Sequence, residues 1–175
     1  PLQGTQREAV EKLPYTATTK YYLAPKNNFW EEDGLPLSLW SDTIIERVFP
    51  TRDAQGKVQS FTVWVDGANA KTLDAMPLAE QYEVVLKEFT RIRPAAEDKV
   101  ELVETISWGK DPYALGAYAH YAPGQVSRLR PTMAYPWQRV HFAGEHTAVV
   151  SPGMEGAVES AERAVDEILA RYKKG

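Results

Sequence analysis

The sequence predicts a protein of mixed class, α+β with α/β character, and three observations lead there. Runs rich in β-branched and aromatic residues, such as TATTKYYLA and QSFTVWVDG, read as strands. Two stretches, Leu78 to Ile92 and the chain beyond Gly153, carry apolar residues at helical spacing. The strands and helices do not alternate as regular βαβ units, which excludes a complete parallel domain.

TQREAVEKL predicts a short helix, with Thr5 and Glu8 in the spacing of a capping box. TATTKYYLA is a strand, NNFWEEDGLPLS is turn-rich, and SDTIIERVFP and QSFTVWVDG are two further strands joined by TRDAQGK. Leu78, Tyr82, Val85, Leu86, Phe89 and Ile92 line one face of a helix that Pro94 ends. KVELVETISW is another strand. GKDPYALGAYAHYAPGQ lacks periodicity and predicts a loop of the kind that carries sites or interfaces. RVHFAGE reads as a short buried strand. On the last helix Met154, Ala157, Val158, Ala161, Val165, Ile168 and Leu169 form an apolar stripe, Ser151 or Gly153 stands near the cap, and RYKKG ends it with cations.

Composition removes several function classes. The chain of 175 residues has 20 Lys and Arg against 24 Asp and Glu, so it lacks the basic footprint of a nucleic-acid binder. Without cysteine it has no disulfide, no thiolate metal site and no cysteine-linked cofactor. Three histidines, His120, His141 and His146, are too few to predict a metal centre. No apolar run reaches the length of a membrane span. PLQGTQREAV has neither an initiator Met nor a leader pattern, so the expectation is a piece of a longer protein.

FAGEHTAVVSPGMEG then stands out. An apolar run meets a Gly–acid pair, and a turn opens a helix whose N-terminus can face an anionic or electron-rich ligand. Yet no Gly-x-Gly-x-x-Gly or Walker loop is present to grip a diphosphate. Taken singly, Glu145 could cap a turn, Lys20 could be a solvated strand residue, and Trp108 and Tyr118 could be core.

Three segments together, TTKYYLAPKNNFWEEDG, WGKDPYALGAYAHYAPG and HFAGEHT with GMEGAVESAERA, resemble the flavin-dependent amine oxidase family of monoamine, polyamine and L-amino-acid oxidases. The resemblance covers nearly the whole chain but only the last third or so of a family member. It implies residues 1–9 as the end of an FAD-binding segment, 10–110 as part of a mixed-sheet substrate domain, and 111–175 as the C-terminal strand–helix of a Rossmann-like FAD domain. By resemblance Glu145, beside Gly144, bonds a cofactor hydroxyl. The Met154 amide faces the flavin carbonyl edge, Gly153 and Gly156 keep side chains clear, and Trp108 packs near the benzenoid edge. Lys20 reaches flavin N5 through a water, and Tyr118 walls the substrate cage. His120, two residues from Tyr118 in the same loop, is a candidate to face the substrate channel, and Trp64 is the other substrate-binding candidate.

Three departures qualify this. Ala117 replaces the cysteine that links flavin in mammalian monoamine oxidases, so FAD is expected to be non-covalent. Gly153 falls where many members place a second cage aromatic. Trp64 lies near the tyrosine that holds the substrate carboxylate in L-amino-acid oxidases, and the partnering arginine would lie outside this chain. His146 is expected to be structural and His141 a satisfied core residue. The implied reaction is oxidation of an amine to a carbonyl, with dioxygen reduced to hydrogen peroxide. The alternatives are an L-amino-acid oxidase for aromatic substrates, or an inactive fragment that binds no FAD without its N-terminal part. The expected partners are that part, an amine and dioxygen, within a soluble, cytoplasmic homo-oligomer that binds no nucleic acid, metal or membrane.

Overall fold

The computed structural model describes residues 2–150 and 152–172. Two compact units emerge, one formed by residues 16–117 and the other by the segments up to Tyr15 and from Tyr118 onward.

The first unit is built on a sheet. Its strands are β1 (Thr18–Pro25), β2 (Leu39–Trp40), β3 (Arg47–Arg52), β4 (Val58–Asp66) and β5 (Val100–Ser107), in the order β2-β3-β4-β1-β5 with every pairing antiparallel. The β3–β4 hairpin turns at Asp53–Gly56. Asp53 accepts from the amides of Gln55 and Lys57, and Gly56 takes the left-handed φ of 81° that such a turn requires. Alternation sends Tyr21, Leu23, Val48, Phe61, Val63 and Val65 to one face, all buried. They pack with helices α3 (Gly67–Asp74) and α4 (Leu78–Ile92), which bury Ala70, Leu73, Val85 and Phe89. A one-turn helix, α2 (Trp30–Asp33), brings Phe29 and Trp30 against Phe61.

Arg93, at the end of α4, is fully buried. Its guanidinium donates to Asp33 Oδ2 at 2.9 Å and Oδ1 at 2.8 Å, and to the Pro36 carbonyl at 3.0 Å. It also lies over the Phe29 ring, 5.6 Å from its centroid. A buried charge persists only when paired and bonded in this way. The Arg93 bonds hold the Asp33 carboxyl below its ordinary range, against the opposing effect of burial.

The second unit holds α1 (Gly4–Lys12), α5 (Gln125–Leu129), α6 (Met154–Tyr172) and a 3-10 turn at Glu145–Thr147. Its core is small, with Ala9, Leu129 and Met133 packed by Leu13 and Tyr121.

Four expectations need correction. The capping box is absent because α1 starts one residue early, leaving Thr5 inside the helix; Thr5 bonds Thr132 at 2.8 Å, and Glu8 pairs with Arg128. Residues 41–46 make a turn rather than strand, with Ser41 N donating to Glu46 O and Glu46 at positive φ. RVHFAGE does not form a strand. Trp137 and Val140 exchange backbone bonds around a tight turn, and beyond it the groups a ladder would use go to α6. Arg163 donates to the Phe142 carbonyl at 2.6 Å, and Gly144 N donates to Ser160 Oγ at 2.8 Å. Finally, α6 buries Gly156, Ser160 and Ala164, and most of its apolar stripe is exposed, from Met154 at 82% to Leu169 at 48%. Ser151 and the cations Lys173 and Lys174 lie outside the described residues.

Candidate functional site

The residues singled out from the sequence divide between the two units. Lys20, Trp64 and Trp108 belong to the sheet unit; Tyr118, His120, Gly144, Glu145, Gly153 and Met154 belong to the other.

In the sheet unit the face away from the core carries a row set by register. Arg47 on β3 opposes Trp64 on β4, Trp64 opposes Lys20 on β1, and Lys20 opposes Ile106 on β5. Side chains directly opposite on antiparallel strands come within contact distance. Lys20 Nζ accordingly lies over the Trp64 ring, 3.8 Å from its centroid. The Arg47 guanidinium lies 5.4 Å from the same ring and 5.5 Å from that of Trp40. Asp66 ties the group together. It accepts from the Trp64 indole N–H at 3.1 Å and from Thr18 Oγ1 at 2.6 Å, and forms an ion pair with Arg47. Among the described residues Lys20 makes no ion pair. Trp108 is 38% exposed, and its backbone N–H donates to Thr18 O at 2.9 Å.

In the second unit Glu145 is the central group. One carboxylate oxygen accepts from Ala119 N at 2.9 Å, and among the described residues the other makes no hydrogen bond. Ala119 also bridges Tyr15, and His120 N donates to Pro14 O at 3.0 Å, so the backbone around Tyr118 and His120 is held from two sides. The Tyr118 side chain is 51% exposed. His146 accepts or donates at Nδ1 to the Tyr15 hydroxyl at 3.0 Å. Burial pushes the His146 pKa below its ordinary 6.5, partly opposed by Glu145. His141 bonds Glu167 at 3.0 Å, so it is satisfied as expected, but outside any strand.

Gly144 has a φ of 134°, and a Cβ there would sit 2.5 Å from His146 Cε1. That collision explains the glycine before the acid. Gly153, at a φ of 100°, opens onto free space at the start of α6, where Met154 is exposed. Glu145, His146, Ala119, Tyr121 and Arg130 line an open cleft of about 290 Å³. These residues fit the sugar and ring-edge parts of a flavin nucleotide. An unspent carboxylate oxygen can accept from a hydroxyl, and a glycine-led helix start can face a carbonyl edge. Among the described residues no group of three or more His, Cys, Asp or Glu could hold a metal ion, and no helix is long and apolar enough to cross a membrane.

Sequence reasoning missed Asp66, Arg47 and the Arg93–Asp33 pair. The hairpin turn at Asp53–Gly56 does not by itself give the partner of Trp64: the register shifts by one residue at Thr51–Arg52, so counting from the turn would have put Glu46 there instead of Arg47. The Lys20–Trp64 contact joins strands far apart in sequence, and no local pattern announces it.

The sheet is antiparallel throughout, where a mixed sheet was expected, and the other unit carries the glycine–acid turn and the helix start; the comparisons with known proteins then give the family. The flavin containing amine oxidoreductase family profile matches residues 1–169, so the chain belongs to that family. A flavin-dependent L-tryptophan oxidase from Lentzea aerocolonigenes is 33% identical over 97% of the chain and 38% of its own length. An L-amino-acid oxidase from Siganus canaliculatus is 31% identical over 92% and 32%. Among solved structures, a putrescine oxidase variant superposes with a TM-score of 0.82 at 21% identity, covering 98% of the chain and 39% of that protein. Cyclohexylamine oxidase from Brevibacterium oxydans gives 0.81 at 20% identity, covering 99% and 39%. The chain thus spans under two fifths of each of these proteins.

Proposed function

We propose that this chain supplies the flavin-ring end and part of the substrate region of an FAD-dependent oxidase that converts an amine to an imine, which water hydrolyses to a carbonyl. The observation that carries this reading is Lys20, a cation on the face of the sheet away from the core that rests on an indole and, among the described residues, makes no ion pair. The chemistry a bound flavin supplies is acceptance of a hydride equivalent from the amine α-carbon and return of two electrons to dioxygen, giving hydrogen peroxide. Lys20 holds a positive charge and a transferable proton where negative charge develops on oxygen. Glu145 accepts from a cofactor hydroxyl with its unspent oxygen, and the start of α6 at Met154 faces the ring edge with helix-end N–H groups. The Trp108 ring in the sheet unit and, independently, the Tyr118 ring in the other unit each offer an electron-rich face of the kind that suits an amine. Residues 10–110 serve the substrate and 111–175 the cofactor. FAD is held non-covalently, the chain having no cysteine for a thioether link. The diphosphate grip comes from the N-terminal part of the same oxidase.

Two substrate readings rest on different observations. A simple amine is favoured by Trp64, whose single N–H is already spent on Asp66 and so cannot hold a carboxylate. An aromatic L-amino acid is favoured by the relatives above 30% identity, named as L-tryptophan and L-amino-acid oxidases. Matched pairs, phenethylamine against phenylalanine and tryptamine against tryptophan, separate the two by peroxide release from the full-length oxidase. Lys20→Met is the test of the reaction itself. FAD retained with turnover lost supports the reading; undiminished turnover ends it.

A further inference from the structure

We propose that Trp64 is a positioning residue for Lys20, and this rests on the reading of Lys20 as the flavin-side cation. A lysine stem has four rotatable bonds and does not hold one position unaided. An aspartate partner would fix it but cancel its charge and take its N–H groups. An indole face attracts the ammonium, Trp more strongly than other rings, and leaves the net charge in place. Here the ammonium lies 3.8 Å from the ring centroid, in directly opposed register.

The ring itself is fixed on three sides. Its N–H donates to Asp66 at 3.1 Å, Phe49 packs edge-on with centroids 6.4 Å apart, and the Arg47 guanidinium lies 5.4 Å from the ring. Arg47 is paired with Asp66, whereas Lys20 has no ion pair among the described residues. Among those residues the row therefore presents Lys20 as a cation without an ion pair, held by a side chain whose own N–H is already used. Trp64 thereby acts on the reaction through Lys20 rather than by binding a substrate carboxylate.

The test uses the full-length oxidase with FAD bound. Reoxidation of the reduced enzyme by dioxygen is timed by stopped flow in the wild type, Trp64→Phe, Trp64→Leu, Lys20→Met and the Trp64→Leu/Lys20→Met double variant. NMR of the oxidised enzyme reads the ring-current shift of the Lys20 ε-methylene. Trp64→Leu is expected to slow reoxidation by about two- to thirty-fold, the range of one cation–π contact, with Trp64→Phe between it and the wild type. In the Lys20→Met background the Trp64 change should have no further effect. The ε-methylene should be shifted upfield in the wild type and return to the ordinary lysine position in Trp64→Leu. If Trp64→Leu does not retain FAD, the milder Trp64→Phe and the wild-type NMR shift carry the test. No effect of Lys20→Met on reoxidation overturns the Lys20 reading and this proposal with it. An effect of Lys20→Met but none of Trp64→Leu, equal losses with and without Lys20, or an unshifted ε-methylene overturns the positioning role alone.

Discussion

The two units are held together by different means. The sheet unit buries sixteen apolar residues in one cluster spanning the sheet, α3 and α4. The other unit buries three in its cluster and relies on specific polar bonds around Glu145–Thr147 and α6. In the first, hydrophobic burial supplies most of the stability and single polar contacts are secondary, except where a charge is trapped. In the second, the loss of one bond or one glycine should matter as much as the loss of a core side chain.

The trapped charge gives the largest expected effect. Arg93→Met leaves the Asp33 carboxylate, 10% exposed, without its partner. A loss of about 3–5 kcal/mol is expected for breaking a buried pair from one side. The five tryptophans allow this to be placed, because Trp137 lies in the second unit and the other four in the sheet unit. With fluorotryptophan labelling, the urea midpoint of Trp30 should fall steeply and that of Trp137 should hold. A fall in Trp137 alone would contradict the assignment of stability to the Arg93–Asp33 pair.

Next in size is Gly144→Ala. The added Cβ meets the His146 ring at 2.5 Å while the backbone keeps a φ of 134°. The cost is about 1–3 kcal/mol of local strain, and it should appear in the Trp137 midpoint. Ser160→Ala should cost a comparable amount, about 1–3 kcal/mol, because it leaves the Gly144 N–H unpaired. Val158→Ser, on the 59% exposed stripe of the same helix, should stay within about 0.5 kcal/mol in this chain. Equal losses from Ser160→Ala and Val158→Ser would mean that the stripe is packed after all.

The same contrast explains what the sequence made legible. α4 runs over Leu78–Ile92 as its periodicity predicts, and β1, β4 and β5 fall on the β-branched runs, because each buries one face on a core made within the unit. RVHFAGE has a strand's composition, but the Phe142 carbonyl and the Gly144 amide bond to α6 side chains instead, which no local pattern encodes. The stripe on α6 is readable as a pattern, yet the pattern does not say what covers it; the buried face is the small-residue row Gly156, Ser160 and Ala164. Lys20 and Glu145 were legible as candidates through motif spacing. Asp66, Arg47 and Arg93 were not, since their roles depend on partners brought near by the fold.

Acid offers the smallest effect and the sharpest separation of the two units. In the folded state burial holds His146 below its ordinary 6.5, so the unfolded chain takes up that proton first as pH falls. Stability from the neutral His146 is complete above 6.5 and is lost as pH drops from there through the folded value. In the sheet unit the depressed groups include Asp33 and Glu88, held down by Arg93 and Arg91 from ordinary values of 3.8 and 4.5. Their contributions are present above those values and fade only below them. As pH falls below 6.5 while staying above the carboxylate range, therefore, the Trp137 midpoint should fall while that of Trp30 stays level. His146→Gln, which removes the titrating group, should flatten the Trp137 response in that window. A persistent slope would assign the acid sensitivity to another group in the unit, and a parallel fall at Trp30 would show that the two units unfold as one.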